Sequence, residues 1–458
     1  MKRLILVCVA SIVLPAMVHA ESASLGYDKY QADEKSAVVK PASSFKKIVD
    51  APALSVRGIK TALRKFFVWI ETYHVPEKTV HVYEEITDRG IYPIKTDIGD
   101  RHGDPAGVEF NYGMYTSDNV SLGGGKKSNY GIQYLKEFDL PSTVIGNTIE
   151  INSWGQAGQG HYKDYGIQYT IDDFLSSNNY LKNTFRYRDN PQEDYFGEGP
   201  NLSIADGSSF QLEETSCSLA LGHIFSEKLT AEIGGMFSYI DISEARDNTK
   251  RSINQSSHLD GYSGSHMLAL GCGIEHDTLD NSLDPKKGGY RRLKVSYYEG
   301  VDGDDFGYVK YRFDCAEYFP IGEYLKFLYW DSAIGMRLSG EMNDDLNNDR
   351  IPFYDLATLG GGHSVRGYRY NRFFDENSLL YSLEYRYNIW SMKNYKVDGT
   401  VFFDCGWIFD EFSDFEFSKY KEGYGVGWRL IVPRFTIAFE AAHSDEGTEF
   451  YVKMRPLF

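Results

Sequence analysis

The alternation of apolar and polar side chains constrains this chain more than any other feature. Between residues 379 and 389 every second residue is leucine, tyrosine or isoleucine, whereas Glu384 and Arg386 lie on the other parity. The stretches 400–407 and 423–432 repeat the pattern. A period of two is that of a β-strand. Because one parity is strongly aromatic and the other is charged, the pattern predicts a transmembrane barrel whose charged parity faces the lumen.

The length of the alternating region sets the number of strands. From Ala106 to Phe458 there are 353 residues (458 − 106 + 1), punctuated by clusters of Gly, Asn and Asp. At roughly 22 residues per strand and connection, this length gives about 16 strands. The 35 Tyr and 44 Gly of the chain are typical of a protein with many strands and turns. We therefore predict an all-β protein, a 16-stranded antiparallel transmembrane β-barrel over residues 106–458, preceded by a short N-terminal helical segment.

The first twenty residues have the composition of a secretory signal peptide. Lys2 and Arg3 form a basic start, an apolar stretch follows, and Val18-His19-Ala20 provides a small-residue exit. Beyond Ala20 no apolar run approaches the roughly 20 residues that a membrane-spanning helix needs. We assign residues 1–20 as a signal peptide.

Residues 21–105 differ from the rest of the chain and are predicted to be a helical segment followed by a linker. Within 53–74 apolar residues recur at intervals of three and four, and basic residues occupy the other faces. Such a helix can lie on an anionic membrane surface, plug a barrel lumen or pack on a small domain. The sequence does not decide among these three locations of the helix. The tract 92–105 is interpreted as the linker.

The C-terminal residues indicate the cellular compartment. Phe450, Val452, Met454 and Phe458 share one parity of a final alternating strand. A terminal aromatic residue that closes such a strand resembles the signal by which barrels are delivered to the bacterial outer membrane. Pro456 departs from that pattern because proline cannot donate to a strand ladder. The sequence therefore predicts an outer-membrane location.

Charge and cysteine usage exclude several classes of function. The formal net charge is -17, which disfavours binding to a phosphate backbone, so nucleic acid is not an expected partner. The cysteines at 217, 272, 315 and 405 stand singly, without the paired spacing of a zinc site. We expect free thiols, with Cys405 facing lipid, and neither a metal nor a cofactor. No nucleophile elbow or metal-ligand spacing supports an enzyme, although an outer-membrane hydrolase remains a remote alternative.

The most specific local sequence is Leu359-Gly-Gly-Gly-His-Ser-Val-Arg-Gly-Tyr368. With this motif the chain resembles the bacterial surface antigen family, the superfamily of BamA-type and TamA-type barrels and two-partner-secretion transporters. The resemblance implies that a long extracellular loop, the sixth, folds back into the barrel. It also implies that the tip residues Val365, Arg366, Gly367 and Tyr368 bring the arginine to acidic residues on the inner wall.

The acidic partners that the resemblance implies are Glu384 and Asp404. Both lie on the parity already assigned to the lumen. The segments 277–290 and 185–199 are also similar to family motifs. An arginine carries five fixed donors and can bridge two carboxylates. The alternative is a solvated Arg366, with Glu384 and Asp404 lining a wet pore.

One departure from the family concerns the N-terminus. Relatives that insert or export proteins usually carry periplasmic βααββ modules, whereas residues 21–105 provide only 85 residues of helical character. The resemblance implies a monomeric barrel that assists insertion, assembly or translocation of proteins, and by extension of lipids, through its seam. Its expected partners are the lipid bilayer and unfolded outer-membrane or secreted proteins. The alternative is a gated translocation pore plugged by the sixth loop.

Overall fold

The structure is a computed structural model of the 458-residue chain. The predicted signal peptide, the basic helix, the strand expected near Ala106 and the terminal Phe458 lie outside the residues that it describes. The described residues are 91–93, 129–140, 146–158, 162–246, 251–253, 259–301, 303, 305–322, 331–346, 350–392, 395–432 and 435–454.

The described residues are almost entirely strand. The strands are β1 Ile91–Pro93, β2 Asn129–Asp139, β3 Thr148–Gly158, β4 Lys163–Asp172, β5 Asn179–Tyr195, β6 Ser208–Ser226, β7 Leu229–Glu244, β8 Arg251–Ser252, β9 Ser265–Asp277, β10 Gly288–Gly300, β11 Gly307–Pro320, β12 Ser332–Asp345, β13 Ala357–Leu359, β14 Phe373–Asp375, β15 Asn377–Met392, β16 Tyr395–Phe409, β17 Lys421–Val432, β18 Phe435–Ser444 and β19 Gly447–Met454. Helical turns are limited to three-residue 3-10 segments at 204–206, 353–355 and 412–414. Over the same ranges no helix has the length and apolarity needed to cross a bilayer.

The strands form one antiparallel sheet in which nearly every strand pairs with its neighbour along the chain. Within the described ranges sixteen strands pair antiparallel in this sheet, and β8 adds a short parallel pairing to β6. Strands β13 and β14 form a separate hairpin inside the connection from β12 to β15. The predicted all-β fold with sixteen antiparallel strands is confirmed, although one of the sixteen, β1, lies before Ala106, where the barrel was expected to begin.

Strand β1 corrects one prediction. Residues 92 and 93 were assigned to a linker because of their turn-like composition, yet Ile91–Pro93 pair antiparallel with residues 132–134 of β2. Proline is tolerated at a strand end, where its missing N–H is not needed. The ends of the long-strand ladder, β2 and β19, are adjacent in the strand order, and we call their junction the seam.

The structure confirms that one parity of the strands carries charged residues toward the lumen and the other carries apolar residues outward. On β15 the alternate residues Ser382, Glu384 and Arg386 are at most 2% exposed. Many large apolar residues on the opposite parity of the sheet are exposed; Ile233 of β7, for example, is 64% exposed. Charged residues inside and apolar residues outside are what a membrane-spanning barrel requires.

Cysteine positions are in part as expected. All four cysteines among the described residues are free thiols. Cys405 does lie on the outward parity of β16, but it is only 8% exposed and therefore does not face lipid openly. It belongs to a cluster with Trp407 and Phe409, and the partly buried Leu379, Tyr381 and Phe415 pack against this cluster.

The connections at the two edges of the sheet differ in length. On one edge the connections 173–178 and 227–228 are short, and on the other edge the connections 196–207 and 410–420 are longer. The difference is not strict, because 278–287 on the first edge is long and 445–446 on the second edge is short. Barrels of this kind have short periplasmic turns, so we expect the first edge to be the periplasmic one.

Candidate functional site in the barrel lumen

The long loop between β12 and β15, residues 346–376, returns into the lumen as a hairpin. Its arms β13 and β14 pair from Ala357 to Asp375, and the tip spans 360–372. Gly360 and Gly361 adopt φ values of 109° and 103°, which residues with a side chain rarely adopt. The glycine run in the sequence therefore makes the sharp turn that carries the tip toward the wall.

Arg366 is the centre of the buried contacts at the tip. It is 1% exposed and its Nε and NH2 atoms donate to Asp404 Oδ2 and Oδ1 at 2.7 and 2.8 Å. Its NH1 atom donates to Glu384 Oε2 at 3.0 Å, and its guanidinium lies 3.5 Å from the centre of the Phe402 ring. The structure thus brings Arg366, Glu384 and Asp404 together, in the arrangement that the resemblance implies.

A third carboxylate was not identified from the sequence. Arg366 NH1 also donates to Glu440 Oε1 at 3.4 Å, and Lys453 Nζ lies 2.8 Å from the other oxygen of Glu440. Glu440 occupies the lumen parity of β18, together with Ala438 and Ala442. The alternation of β18 could have indicated that Glu440 faces inward, but not that it lies beside Arg366.

The other tip residues make different contacts. Val365 is fully buried in a cluster with Leu380 and Ile408 of the wall. The backbone N–H of Gly367 donates to Tyr451 Oη at 2.9 Å, and that hydroxyl donates onward to the carbonyl of Tyr368 at 2.8 Å. The tip is therefore fixed by apolar packing and backbone hydrogen bonds as well as by Arg366.

The last strand, β19, holds the loop tip through Tyr451 and Lys453. These residues alternate with the outward-facing residues of the predicted C-terminal signal. Phe450 and Val452 pair with Ala441 and Phe439 of β18 on the outward side. Tyr451 faces inward, and Lys453 Nζ donates to the carbonyl of Gly362 at 3.0 Å. The side chain of Met454 lies outside the described part of the chain, as does the whole of Phe458.

The base of the long loop contacts the opposite half of the barrel. Gly199 N donates to the carbonyl of Phe374 at 2.7 Å, and Arg372 NH2 donates to the carbonyl of Leu202. Phe353 lies in the largest apolar cluster, edge-on to the ring of Tyr195 at 5.2 Å. The loop therefore spans the lumen from the β5–β6 connection to the last strands.

One titratable group at the tip is uncharged. Burial, together with the charges of Lys453 and Arg337, lowers the pKa of His363 to about 3. The imidazole is therefore uncharged at physiological pH, and the backbone carbonyl of His363 accepts from Arg337 NH1 at 3.0 Å.

The connection 278–287 forms an ordered turn, which we call the periplasmic turn. Asp280 Oδ1 accepts from the backbone N–H groups of Lys286 and Lys287 at 3.0 and 3.1 Å. Asn281 Oδ1 accepts from the backbone N–H of Leu283 at 2.8 Å. These side-chain caps explain why a run of Asp and Asn residues folds into a fixed turn here.

The periplasmic turn docks on strands far along the chain. Lys286 Nζ donates to Asp398 Oδ2 at 2.6 Å, and Asp398 is fully buried on the lumen side of β16. The carbonyl of Leu283 accepts from Thr436 Oγ1 at 2.9 Å and from Arg429 NH2 at 3.2 Å. The turn after β9 thus reaches the inner faces of β16, β17 and β18.

Arg386 joins the two contact regions. Its Nε donates to Glu384 Oε1 at 2.6 Å, while the other oxygen of Glu384 accepts from Arg366. Its NH1 donates to the carbonyl of Pro285 in the periplasmic turn at 3.4 Å. One continuous polar network therefore runs along the wall from the loop tip to the periplasmic turn.

The chain is similar to one sequence family and to several solved structures. The Omp85 superfamily domain, as a sequence family, matches residues 144–453. The structure of BamA from Haemophilus ducreyi lacking POTRA domains 1-3 is similar at a TM-score of 0.52 and 14% identity, over 72% of this chain and 67% of that chain. CdiB from Escherichia coli gives 0.45 at 14% identity, over 72% and 58% of the two chains. CdiB from Acinetobacter baumannii gives 0.43 at 15% identity, over 73% and 57%.

Proposed function

The chain belongs to the Omp85 superfamily, and from that premise we propose that it assists the insertion of unfolded outer-membrane proteins at its barrel seam. As a member of this superfamily it is itself an outer-membrane barrel protein of Gram-negative bacteria and not an enzyme. We propose that, in the outer membrane, its barrel lowers the barrier to insertion of other proteins.

The observation that carries the proposal is the difference in strand length around the barrel. On one side of the seam, β18 and the described part of β19 have 10 and 8 residues, and on the other side β2 has 11. On the far wall, β6 has 19 residues. At about 3.4 Å per residue, β6 is roughly 65 Å long and β18 roughly 34 Å.

A short wall favours a thin bilayer beside it. A bilayer becomes locally thinner beside a protein whose hydrophobic span is shorter than the bilayer, and this thinning costs free energy. We expect this cost to fall when another membrane-spanning strand inserts at the same place. A client strand therefore meets its lowest barrier at the seam. β1 pairs with residues 132–134 of β2, and we propose that a client strand pairs with the rest of this edge of β2 during insertion.

The buried contacts of Arg366 support the same proposal. The loop tip binds the inner faces of β15, β16, β18 and β19, the strands that lead up to the seam. We infer that the tip keeps these strands in place while the outer edge of β19 exchanges partners.

A gated translocation pore is the second candidate. It is favoured by the polar character of the contacts that close the lumen, because ion pairs such as Arg366 with Glu384 can exchange for water. In this alternative the long loop and the periplasmic turn are the two gates, and a client passes through the lumen.

Site-specific photo-crosslinking distinguishes the two candidates. A photoreactive amino acid at Phe450, on the outward face of β19, is expected to capture an unfolded barrel client during insertion. The same group at Ile233, outward on the far wall, is the matched control and is expected to capture none. Adducts from Ser238, which faces the lumen from β7, in place of Phe450 would favour the pore and overturn the seam proposal.

A folding assay tests the activity itself. The folding rate of an unfolded model barrel is measured in liposomes with and without this protein, by the gel shift between folded and unfolded bands. Acceleration that grows with acyl-chain length is expected, because longer chains increase the mismatch at the seam. No acceleration in any liposome would remove the insertion proposal.

A further inference from the structure

The connection between β16 and β17, residues 410–420, lies against the outside of the barrel. We call it the aromatic loop, because Phe412, Phe415, Phe417 and Tyr420 recur within it. It packs on Trp407 and Phe409, which belong to the outward parity of β16, opposite to that of Asp404 and Ile408. The loop therefore folds onto the outer wall and away from the lumen.

Several contacts fix the aromatic loop in this position. The rings of Trp407 and Phe417 have centroids 5.2 Å apart, and Trp407 Nε1 donates to the carbonyl of Phe417 at 3.1 Å. The rings of Phe409 and Phe415 lie 5.3 Å apart, edge to face. As a result Trp407 and Phe409 are each only 6% exposed, although they face outward.

The opposite side of the aromatic loop is open and apolar. Phe412 is 65% exposed and Phe417 is 75% exposed. The exposed surface continues down β17 through Tyr424 and Val426, which are 50% and 59% exposed on the outward parity. The rings of the loop thus extend the lipid-facing wall at its extracellular end.

We propose that the aromatic loop is a membrane-interface element that inserts the rings of Phe412 and Phe417 into the outer leaflet. The occupant of this surface is lipid, at the boundary between acyl chains and headgroups, where aromatic side chains concentrate in membrane proteins. Continuity with the outward face of β17 argues for lipid, because the surface below it is the bilayer-facing wall.

The remaining side chains of the loop suit a headgroup environment. Glu411, Asp414, Glu416 and Lys419 are all exposed, and Glu416 pairs with Lys419 at 2.7 Å. The Trp407 N–H already donates within the protein, so this part of the surface carries no unsatisfied donor into lipid. The loop is therefore amphipathic, with rings for the acyl boundary and charges for the aqueous side.

The test is a depth measurement on the full chain in phosphatidylcholine vesicles. All five cysteines of the chain are replaced by alanine, and an environment-sensitive fluorophore is attached at Phe417→Cys. The matched control carries the same fluorophore at Lys419→Cys, two residues along the same loop. Both proteins are first checked for folding by the gel shift.

Insertion predicts a specific quenching pattern. In vesicles whose lipids are brominated near the glycerol end, the fluorophore at 417 is expected to lose about twofold more intensity than the one at 419. Equal quenching at both positions, or none at either, would overturn the proposal. Quenching in unbrominated vesicles that rises with protein density would indicate a second copy of this chain as the occupant, and would also overturn it.

A substitution provides a second readout. Phe417→Ser retains the carbonyl that accepts from Trp407 but removes the exposed ring. In vesicles, protease cleavage within 410–420 is expected to be slow in the original chain and faster in Phe417→Ser. The ratio of the two rates should be smaller in detergent, where only the lost packing on Trp407 contributes. Equal cleavage in vesicles would contradict the proposal.

Discussion

Asp404 accepts three hydrogen bonds from Arg366, from the backbone N at 3.1 Å, from Nε at 2.7 Å and from NH2 at 2.8 Å. The carboxylate therefore fixes both the side chain and the backbone of the loop tip. Because two charges in this geometry are fully buried, the loss of either partner leaves the other without compensation.

Removal of the arginine is expected to destabilise the barrel strongly. In Arg366→Ala the carboxylates of Glu384, Asp404 and Glu440 stay buried without their common partner, at a cost of about 3–5 kcal/mol. The folded gel band of Arg366→Ala should unfold at a lower temperature than that of the original chain. The control is Arg350→Ala, whose exposed ion pair with Asp260 contributes less than about 1 kcal/mol. Equal behaviour of the two variants would contradict the role of Arg366.

A glycine on the wall is expected to be required for tip docking. A Cβ atom on Gly423 would lie 1.7 Å from the carbonyl oxygen of Arg366, so Gly423→Ala forces the loop away from β17. We expect a loss of about 1–3 kcal/mol and faster protease cleavage of the long loop. Gly155→Ala serves as the matched strand control, because its Cβ would meet nothing nearer than 3.4 Å. A stable Gly423→Ala with an unchanged cleavage rate would contradict the close approach.

The periplasmic turn and the long loop are expected to close the lumen jointly. Lys286→Gln removes the partner of the buried Asp398 and should loosen the turn, whereas the exposed Lys287→Gln should not. In planar bilayers we expect low conductance for each of Lys286→Gln and Arg366→Ala alone, and a larger conductance for the double variant. High conductance from Lys286→Gln alone would mean that the long loop does not seal the lumen.

Stability is expected to depend on pH through an acidic pair at the extracellular end of the long loop. Burial, with Asp410 nearby, raises the pKa of Glu376 from 4.5 to about 7 and that of Asp375 from 3.8 to about 6. In this range the folded state holds protons that the unfolded state releases, so their contribution to stability is lost as pH rises through about 7. The unfolding temperature should therefore be higher at about pH 5 than at about pH 8.

The variant Glu376→Gln isolates this effect from other titrating groups. It should be more stable than the original chain at about pH 8, where the carboxylate is charged, and the difference should shrink at about pH 5. A difference that stays constant across this range would contradict the assignment to Glu376.

Much of the site follows from local sequence. The period of two along β15 and β16 places Glu384 and Asp404 on the lumen side, because alternate side chains of a strand must point to opposite faces. The glycine run before Arg366 likewise predicts a sharp turn at the tip. These inferences need only neighbours along the chain, and so the sequence alone suffices for them.

The local sequence could not predict which distant residues contact the long loop and the periplasmic turn. Glu440 reaches Arg366 across 74 positions of sequence, and Leu283 accepts from Thr436 across 153. Such contacts depend on how the sheet curves and where each connection returns. A single strand carries no information about either.

The sequence by itself therefore determined the strand period, the face on which each charge lies and the compartment that the last strand indicates. The tertiary structure alone decided that Tyr451 and Lys453 hold the loop tip, that the periplasmic turn reaches β16, β17 and β18, and that the aromatic loop packs on Trp407 and Phe409. The physical reason is that side-chain direction in a strand is fixed by adjacent peptide units. The meeting of distant segments is instead fixed by closure of the whole wall around a lumen that those segments must fill.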